Sequence, residues 1–325
     1  MSSAAPALAP AWTAWIAENA LRGASRAELC AGLVQGGVPE ASAGGLVDEV
    51  LQSPILAGAQ ALVARSAGIE QVARLRKALD DGPVAELRLH EVDDDRLFRE
   101  WWTPHRPLVL RGAAADWPAW TPASLAERFG DVEVTAVVGR AAAPRWFDDR
   151  AAHSRRMPLR ELLARAEGPA SDDVYADARC RLLDEPGLAP LRAEIGPLPG
   201  LAPQAEPFAW IGPAGTVTRL HHDQSTGWLV QRCGRKRVWL AAPWEAALLA
   251  TADGLYNRAD AALPGEALRE VRWHELVLEP GDAVLLPVGW WHQVRAEAPS
   301  ISVSMGRFRW PNHFPWYLPG RRQAG

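Results

Sequence analysis

The stretch Leu278-Glu-Pro-Gly-Asp-Ala-Val-Leu-Leu-Pro-Val-Gly-Trp-Trp-His292-Gln-Val-Arg295 alternates turn signals with short apolar runs. An apolar run closed on one side by Pro-Gly-Asp and on the other by Pro-Val-Gly reads as a short strand, and a second strand starts at His292. The same texture extends in both directions. Val84–Val92, Pro107–Gly112, Val132–Val138, Asp173–Ala176, Ala209–Gly212, Val217–Asp223, Trp228–Arg232, Arg237–Ala241, Glu275–Leu278, Ala283–Leu286, His292–Ala296 and Ile301–Phe308 all read as strands. Helices are expected at Asp94–Trp102, Pro122–Phe129 and Pro158–Ala166, the last two opening with Pro at the first helical position. Many short strands without alternating crossover helices favour a sandwich or barrel, and the jelly roll is the version with a ligand-sized interior.

Ahead of this region the pattern is helical. Trp12, Trp15 and Ile16 sit at helical spacing, and Ser25 with Glu28 forms a capping box before Leu29 and Leu33. Ser53-Pro54 opens another helix, whose Leu62, Ile69, Val72 and Leu75 make an apolar stripe running up to Asp80-Asp81-Gly82-Pro83. That break divides the chain into a helical region, 1–82, and a mainly β region, 83–325. The stripe is expected to pack against the rest of the chain or against a second subunit in a homodimer.

His221-x-Asp223 lies on one of the strands, with His292 on another. A strand turns successive side chains to opposite faces, so His221 and Asp223 point together while His222 points away. Two imidazoles and a carboxylate on one face of Fe(II) leave the opposite positions open for a co-substrate and dioxygen. A zinc hydrolase can also use three N/O ligands with one open position, and a buried His is commonly a hydrogen-bonded core residue.

Composition narrows the function classes. The 325 residues are 48% hydrophobic, enough for a large core. No apolar run approaches a bilayer span, and the first residues lack a basic start and an apolar segment, so a cytoplasmic location is expected. Cys30, Cys180 and Cys233 are scattered, which suggests neither a disulfide framework nor a zinc knuckle. A formal net charge of −4 argues against nucleic acid as a partner, and Arg235-Lys236-Arg237 is too short to supply a basic field. Most of the 16 tryptophans are read as core or pocket wall.

Ile211-Gly-Pro-Ala-Gly-Thr-Val-Thr-Arg-Leu-His221-His-Asp223, Gly234-Arg-Lys236-Arg-Val-Trp-Leu240, the stretch from Leu278 to Arg295 and Ser300-Ile-Ser-Val-Ser304 together resemble the JmjC, or cupin-like, family of Fe(II)- and 2-oxoglutarate-dependent oxygenases. Upstream, Arg106-Pro-Leu-Val-Leu-Arg-Gly112 and Asp116-Trp117-Pro118 match the family's opening segment, so the resemblance runs from Leu87 to Arg309. It is nearer to the arginyl- and asparaginyl-hydroxylase branch than to histone demethylases. The resemblance implies a mainly β double-stranded β-helix, the cupin jelly roll, behind an N-terminal α-helical region. It further implies Fe(II) on His221, Asp223 and His292, with 2-oxoglutarate and dioxygen as co-substrates and a protein or peptide as substrate. Lys236 is the family's clamp for the far carboxylate of 2-oxoglutarate, a charge that is costly to bury unpaired. Thr218 and Tyr175 match groups that help hold that carboxylate. Trp210 and Trp146 correspond to aromatic positions near the substrate groove, and Trp228 is placed with them on the substrate side.

Two departures bear on substrate. Gly227 stands where many hydroxylases of this branch have Asn, and Val137-Val138 stands where arginine-hydroxylating relatives place a carboxylate. Gly227, and Arg307 on the strand after His292, also suit a non-catalytic cupin-like binding module. N-demethylation and tRNA modification are alternatives within the family.

Overall fold

The computed structural model describes residues 10–80, 82–143, 149–249 and 255–314. Contacts divide the chain into two compact units, Met1–Asp80 and Asp81–Gly325.

The first unit consists of α1 (Pro10–Leu21), α2 (Arg26–Gln35), α3 (Glu40–Leu51) and α4 (Pro54–Leu79). Ser25 caps α2 as its sequence indicates: the Glu28 N–H donates to Ser25 Oγ at 3.3 Å and the Ser25 N–H donates to the Glu28 carboxylate at 2.7 Å. Ile16, Leu29, Leu33, Ala43, Val47, Val50 and Leu56 close a separate core. Beyond Leu56, α4 buries no side chain fully, and Leu62, Ile69, Val72 and Leu75 are largely exposed. The stripe is therefore not covered within the helical unit itself.

The second unit opens with β1 (Ala85–Arg88), β2 (Leu108–Arg111), β3 (Glu133–Val138), β4 (Ser154–Pro158) and β5 (Val174–Tyr175). It continues through β6 (Pro207–Gly212), β7 (Val217–His222), β8 (Gly227–Cys233), β9 (Lys236–Ala241), β10 (His274–Leu278), β11 (Ala283–Leu286), β12 (Trp291–Ala296) and β13 (Ser300–Met305). A six-stranded sheet has the order β1-β2-β11-β8-β13-β6, and a four-stranded sheet has the order β10-β9-β12-β7. All pairings in these two sheets are antiparallel except β1 with β2. Val109, Leu229, Val284 and Leu286 from the first sheet share one core cluster with Val238, Leu240, Leu276, Leu278 and Val294 from the second. The two sheets therefore pack face to face, as a jelly roll requires.

A third sheet, β4-β3-β5, lies outside these two. Its β4 was not expected from Ser-Arg-Arg-Met-Pro, which carries no apolar alternation; only Met157 in it is buried. The Asp94–Trp102 helix is an α-turn, Asp94–Leu97, followed by a π-turn, Phe98–Trp102. The helix expected from Pro158 begins at Leu159, with Pro158 in the capping position.

The Pro-Gly-Asp turn is held by its aspartate. Asp282 accepts from the Gly112 N–H at 2.9 Å and from Arg111 Nη1 at 2.5 Å, and the Glu279 N–H of the same turn donates to it at 3.1 Å. One buried carboxylate thus ties the end of β2 to the start of β11, which explains why Arg111-Gly112 and Pro280-Gly281-Asp282 belong to one pattern despite their separation.

Candidate active site

β7 and β12 are neighbours, and their register sets His221 directly opposite His292 and Thr218 opposite Val294. Between those pairs β12 advances two residues while β7 advances three. The extra residue is a bulge in β7, and it rephases the strand. Thr218 and His221 are three apart and would face opposite ways on a regular strand. With the bulge both line the same cavity.

Asp223 lies just beyond the end of β7, where its carbonyl accepts from the Gly289 N–H at 3.0 Å. Its Oδ1 is 3.7 Å from His221 Nε2 and its Oδ2 is 3.7 Å from His292 Nε2. The three ligand atoms lie within 4.8 Å of one another. His221 Nδ1 is 2.7 Å from Arg219 O, and His292 Nδ1 is 2.9 Å from Trp290 O. Each ring thereby donates its Nδ1 proton to a backbone carbonyl and turns its Nε2 lone pair toward the carboxylate, the usual arrangement behind a metal-binding imidazole. Burial, with His221 alongside, pushes His292 down to about 4, so its ring is neutral. Two imidazoles and one carboxylate fit Fe(II); they also fit zinc. His222 is buried away from them, edge-on to Trp291 with ring centres 4.6 Å apart, as strand alternation anticipates.

The other end of the cavity is defined by Lys236, the first residue of β9 and only 3% exposed. Burial pushes its ammonium down to about 7. Its Nζ lies 5.9 Å from the centre of the Tyr175 ring, and the Tyr175 hydroxyl is 3.2 Å from Thr218 Oγ1. Burial raises the Tyr175 phenol, which keeps it a donor at neutral pH. Lys236 has no ion pair among the described residues. Its neighbours face the other way: Arg235 and Arg237 both pair with Glu297, at 2.7 and 2.6 Å. The cavity of about 350 Å³ brings His221, Asp223 and His292 together with Lys236, Thr218 and Tyr175.

The tryptophans divide differently from expectation. Trp210 lines the cavity, with its indole N–H donating to Ser304 Oγ at 2.9 Å and its ring 5.9 Å from Tyr175. Trp228 borders the cavity but its side chain is fully buried in the core, where its N–H donates to Pro199 O at 3.1 Å. Its indole is thus part of the core packing. Trp146 lies outside the described residues. Arg307 is exposed and lies beyond β13, not on a strand in the barrel wall. Gly227 does border the cavity. Val137 is core, paired through its backbone with Tyr175.

Several cavity residues carry no sequence signal of their own. Tyr256 stacks on His221 with ring centres 5.6 Å apart and planes 18° apart, and Arg179 Nη2 donates to its hydroxyl at 3.3 Å. Arg140 is buried over the Tyr175 ring at 4.9 Å and donates to Val217 O at 2.8 Å. Arg150 makes a two-pronged pair with Asp177 at 2.7 and 2.6 Å. These side chains come from loops and short turns with no hydrophobic period to mark them.

The cupin-like domain family matches residues 94–306, well over half of the 325-residue chain. The chain belongs to the cupin-like, or JmjC, family. This cupin-like chain is 44% identical over 104 residues to JmjC domain-containing protein 5 of Drosophila melanogaster, across 30% of the chain and 26% of that protein. It is 27% identical over 253 residues to lysine-specific demethylase 8 of Xenopus tropicalis, across 72% of the chain and 55% of that protein. It is 26% identical over 253 residues to the bifunctional peptidase and (3S)-lysyl hydroxylase JMJD7 of Homo sapiens, across 64% of the chain and 78% of that protein. The cupin-like chain thus spans a quarter of the fly relative and just over half of the frog one. No helix of its described residues is long and apolar enough to cross a membrane.

Proposed function

We propose that this protein is an Fe(II)- and 2-oxoglutarate-dependent dioxygenase that hydroxylates a side chain of a protein or peptide. The observation that carries the reading is Lys236, a cation buried without an ion pair among the described residues in the same cavity as the three metal donors. A buried ammonium needs a counter-charge, and a co-substrate carboxylate supplies one. His221, Asp223 and His292 would hold Fe(II), which supplies binding and activation of dioxygen. Lys236 would pair with the far carboxylate of 2-oxoglutarate, while Thr218 and the protonated Tyr175 hydroxyl add hydrogen bonds. The Nδ1–H bonds of the two histidines to backbone carbonyls fix the ring orientation, and Leu229, Leu286 and Val294 in the lining limit water around the reacting groups. The overall reaction is balanced: a C–H bond, dioxygen and 2-oxoglutarate give C–OH, succinate and carbon dioxide, one oxygen atom entering the substrate and the other the succinate.

Several relatives are named demethylases, and hydroxylation of an N-methyl group followed by loss of formaldehyde is the same chemistry at a different atom. Anaerobic addition of Fe(II) and 2-oxoglutarate is expected to give a weak visible charge-transfer band from the keto-acid chelate. In Lys236→Ala the band requires about 100-fold more 2-oxoglutarate, the cost of stripping a buried charge partner. Folded protein that gives no band at all sinks the enzyme reading in favour of a binding module, and formaldehyde released with succinate would assign demethylation.

A further inference from the structure

Asp223 lies beyond the end of β7, where the ladder with β12 no longer fixes it, and its side chain is half exposed. The Gly289 N–H anchors it by donating to its carbonyl at 3.0 Å. Gly289 belongs to the turn Pro287-Val288-Gly289-Trp290 between β11 and β12, which closes with the Trp290 N–H donating to Pro287 O at 3.1 Å and Gly289 at a φ of +74°. The same turn supplies Trp290 O, which receives the Nδ1 proton of His292 at 2.9 Å. Four residues thus support two of the three metal donors, and a shift of the turn moves both.

His105 grips this turn from a loop 183 residues before Val288. Its ring donates from Nε2 to Val288 O at 2.6 Å, and its own carbonyl accepts the Trp290 indole N–H at 3.0 Å. The two contacts bracket Gly289. Thr226 Oγ1 completes the hold by accepting from the Val288 N–H at 3.1 Å. His105 makes both contacts with a φ of +63°, and Arg181 is the only other non-glycine residue with a positive φ among the described residues. That conformation is costly for a residue with a Cβ and persists only where its surroundings enforce it, so it points to a role for the residue that holds it.

We propose that His105 is a positioning residue for the metal centre, holding the 287–290 turn where it fixes Asp223 and His292. This rests on the metal site of the oxygenase reading and adds a residue outside the cavity lining to the apparatus behind it. Partners that orient metal donors without touching the metal tune its affinity, and His105 acts one bond further out than the carbonyl behind His292.

The test uses the full chain and Co(II) alone as the probe, titrated into folded protein and read by its visible d–d bands. His105→Asn tolerates the left-handed backbone, but its amide ends short of the imidazole Nε2, so the bond to Val288 is lost while the backbone carbonyl stays. His105→Gln carries its amide nitrogen near the Nε2 position and restores the donor. Co(II) is expected to bind about three- to tenfold more weakly to His105→Asn, the worth of one hydrogen bond, with altered bands, and His105→Gln lies between it and the wild type. On Co(II)-saturated protein, affinity for 2-oxoglutarate stays unchanged, because Lys236, Thr218 and Tyr175 stand on β9, β7 and β5 rather than on the turn. A merely structural role would lower the denaturant midpoint and leave the affinity and bands of the folded protein where they were. Should His105→Asn not fold, Trp290→Phe removes the other contact and is read in the same way. Unchanged Co(II) affinity in the folded variants, equal weakening of Co(II) and 2-oxoglutarate, or His105→Gln binding Co(II) worse than His105→Asn overturns the proposal and leaves the metal reading intact. Wild-type protein that binds no Co(II) removes the metal reading and this inference with it.

Discussion

At the scale of single residues, the role proposed for Lys236 makes binding of 2-oxoglutarate sensitive to pH. Burial holds its ammonium near 7 in the ligand-free protein, whereas a bound carboxylate favours the charged form and raises it. The sign follows directly: below 7 the lysine is already protonated and binding is indifferent to pH, while above 7 binding must take up a proton. Affinity for 2-oxoglutarate should therefore weaken by up to about tenfold per pH unit above neutrality. Calorimetric titration with Zn(II) in place of Fe(II), at pH 6.5, 7.5 and 8.5, reads this directly, and a flat profile contradicts the assignment of Lys236. A second residue acts through its lack of a side chain. A Cβ on Gly212 would fall 2.8 Å from the Tyr175 ring and 2.7 Å from Thr216 Oγ1. Gly212→Ala is expected to fold but to displace the Tyr175 phenol, weakening 2-oxoglutarate about three- to tenfold, the worth of one hydrogen bond. Unchanged affinity would remove Tyr175 from the co-substrate site. His221, Asp223, His292 and Lys236, which the sequence singles out by residue type and spacing, come together in one cavity. Arg179 and Tyr256 were not legible in the sequence, since nothing local distinguishes a cavity arginine from a solvated one.

At the scale of elements, the strands were readable from apolar runs and turn residues, but their phase was not. The argument that His221 and Asp223 share a strand face reaches the right pair by an incomplete route, because β7 ends at His222 and Asp223 is placed by the Gly289 N–H. The bulge in β7, which brings Thr218 onto the cavity side, depends on register against β12 and leaves no mark in Thr218-Arg219-Leu220. Trp228 shows the same limit, since placement on a cavity strand does not say which way an indole turns. The β8–β9 turn, in contrast, is written in Gly234. Its φ of +70° is one that glycine adopts freely, and a Cβ there would lie 2.0 Å from Pro299 O. Gly234→Ala should cost about 1–3 kcal/mol, strain plus displaced backbone, and should shift Lys236 at the start of β9. The variant is expected to show a lower denaturant midpoint together with weaker 2-oxoglutarate binding. Loss of stability with unchanged binding would mean that the turn does not position Lys236.

At the scale of the whole molecule, the two units carry different kinds of information. The helical unit has its own core around Ile16, Leu29 and Leu33, while His221, Asp223, His292, Lys236, Thr218 and Tyr175 all belong to the β-rich unit. Helical periodicity announced the first unit clearly, but the expectation that the α4 stripe would be covered did not name its cover, because an amphipathic pattern records a preference for burial and not its partner. Separate cores imply separate cooperative transitions. A calorimetric scan of the full chain should resolve two, and ligands that bind only the folded β-rich unit should raise one of them alone. Zn(II) with 2-oxoglutarate at about 100 times its dissociation constant contributes about 2.7 kcal/mol, which for a unit of this size is a rise of about 5–10 °C. His221→Ala, lacking a metal donor, should abolish that rise and leave the other transition where it was. A single transition that moves as a whole would show instead that the helices and the jelly roll unfold as one, and would extend the influence of the metal site to residues far from it in sequence.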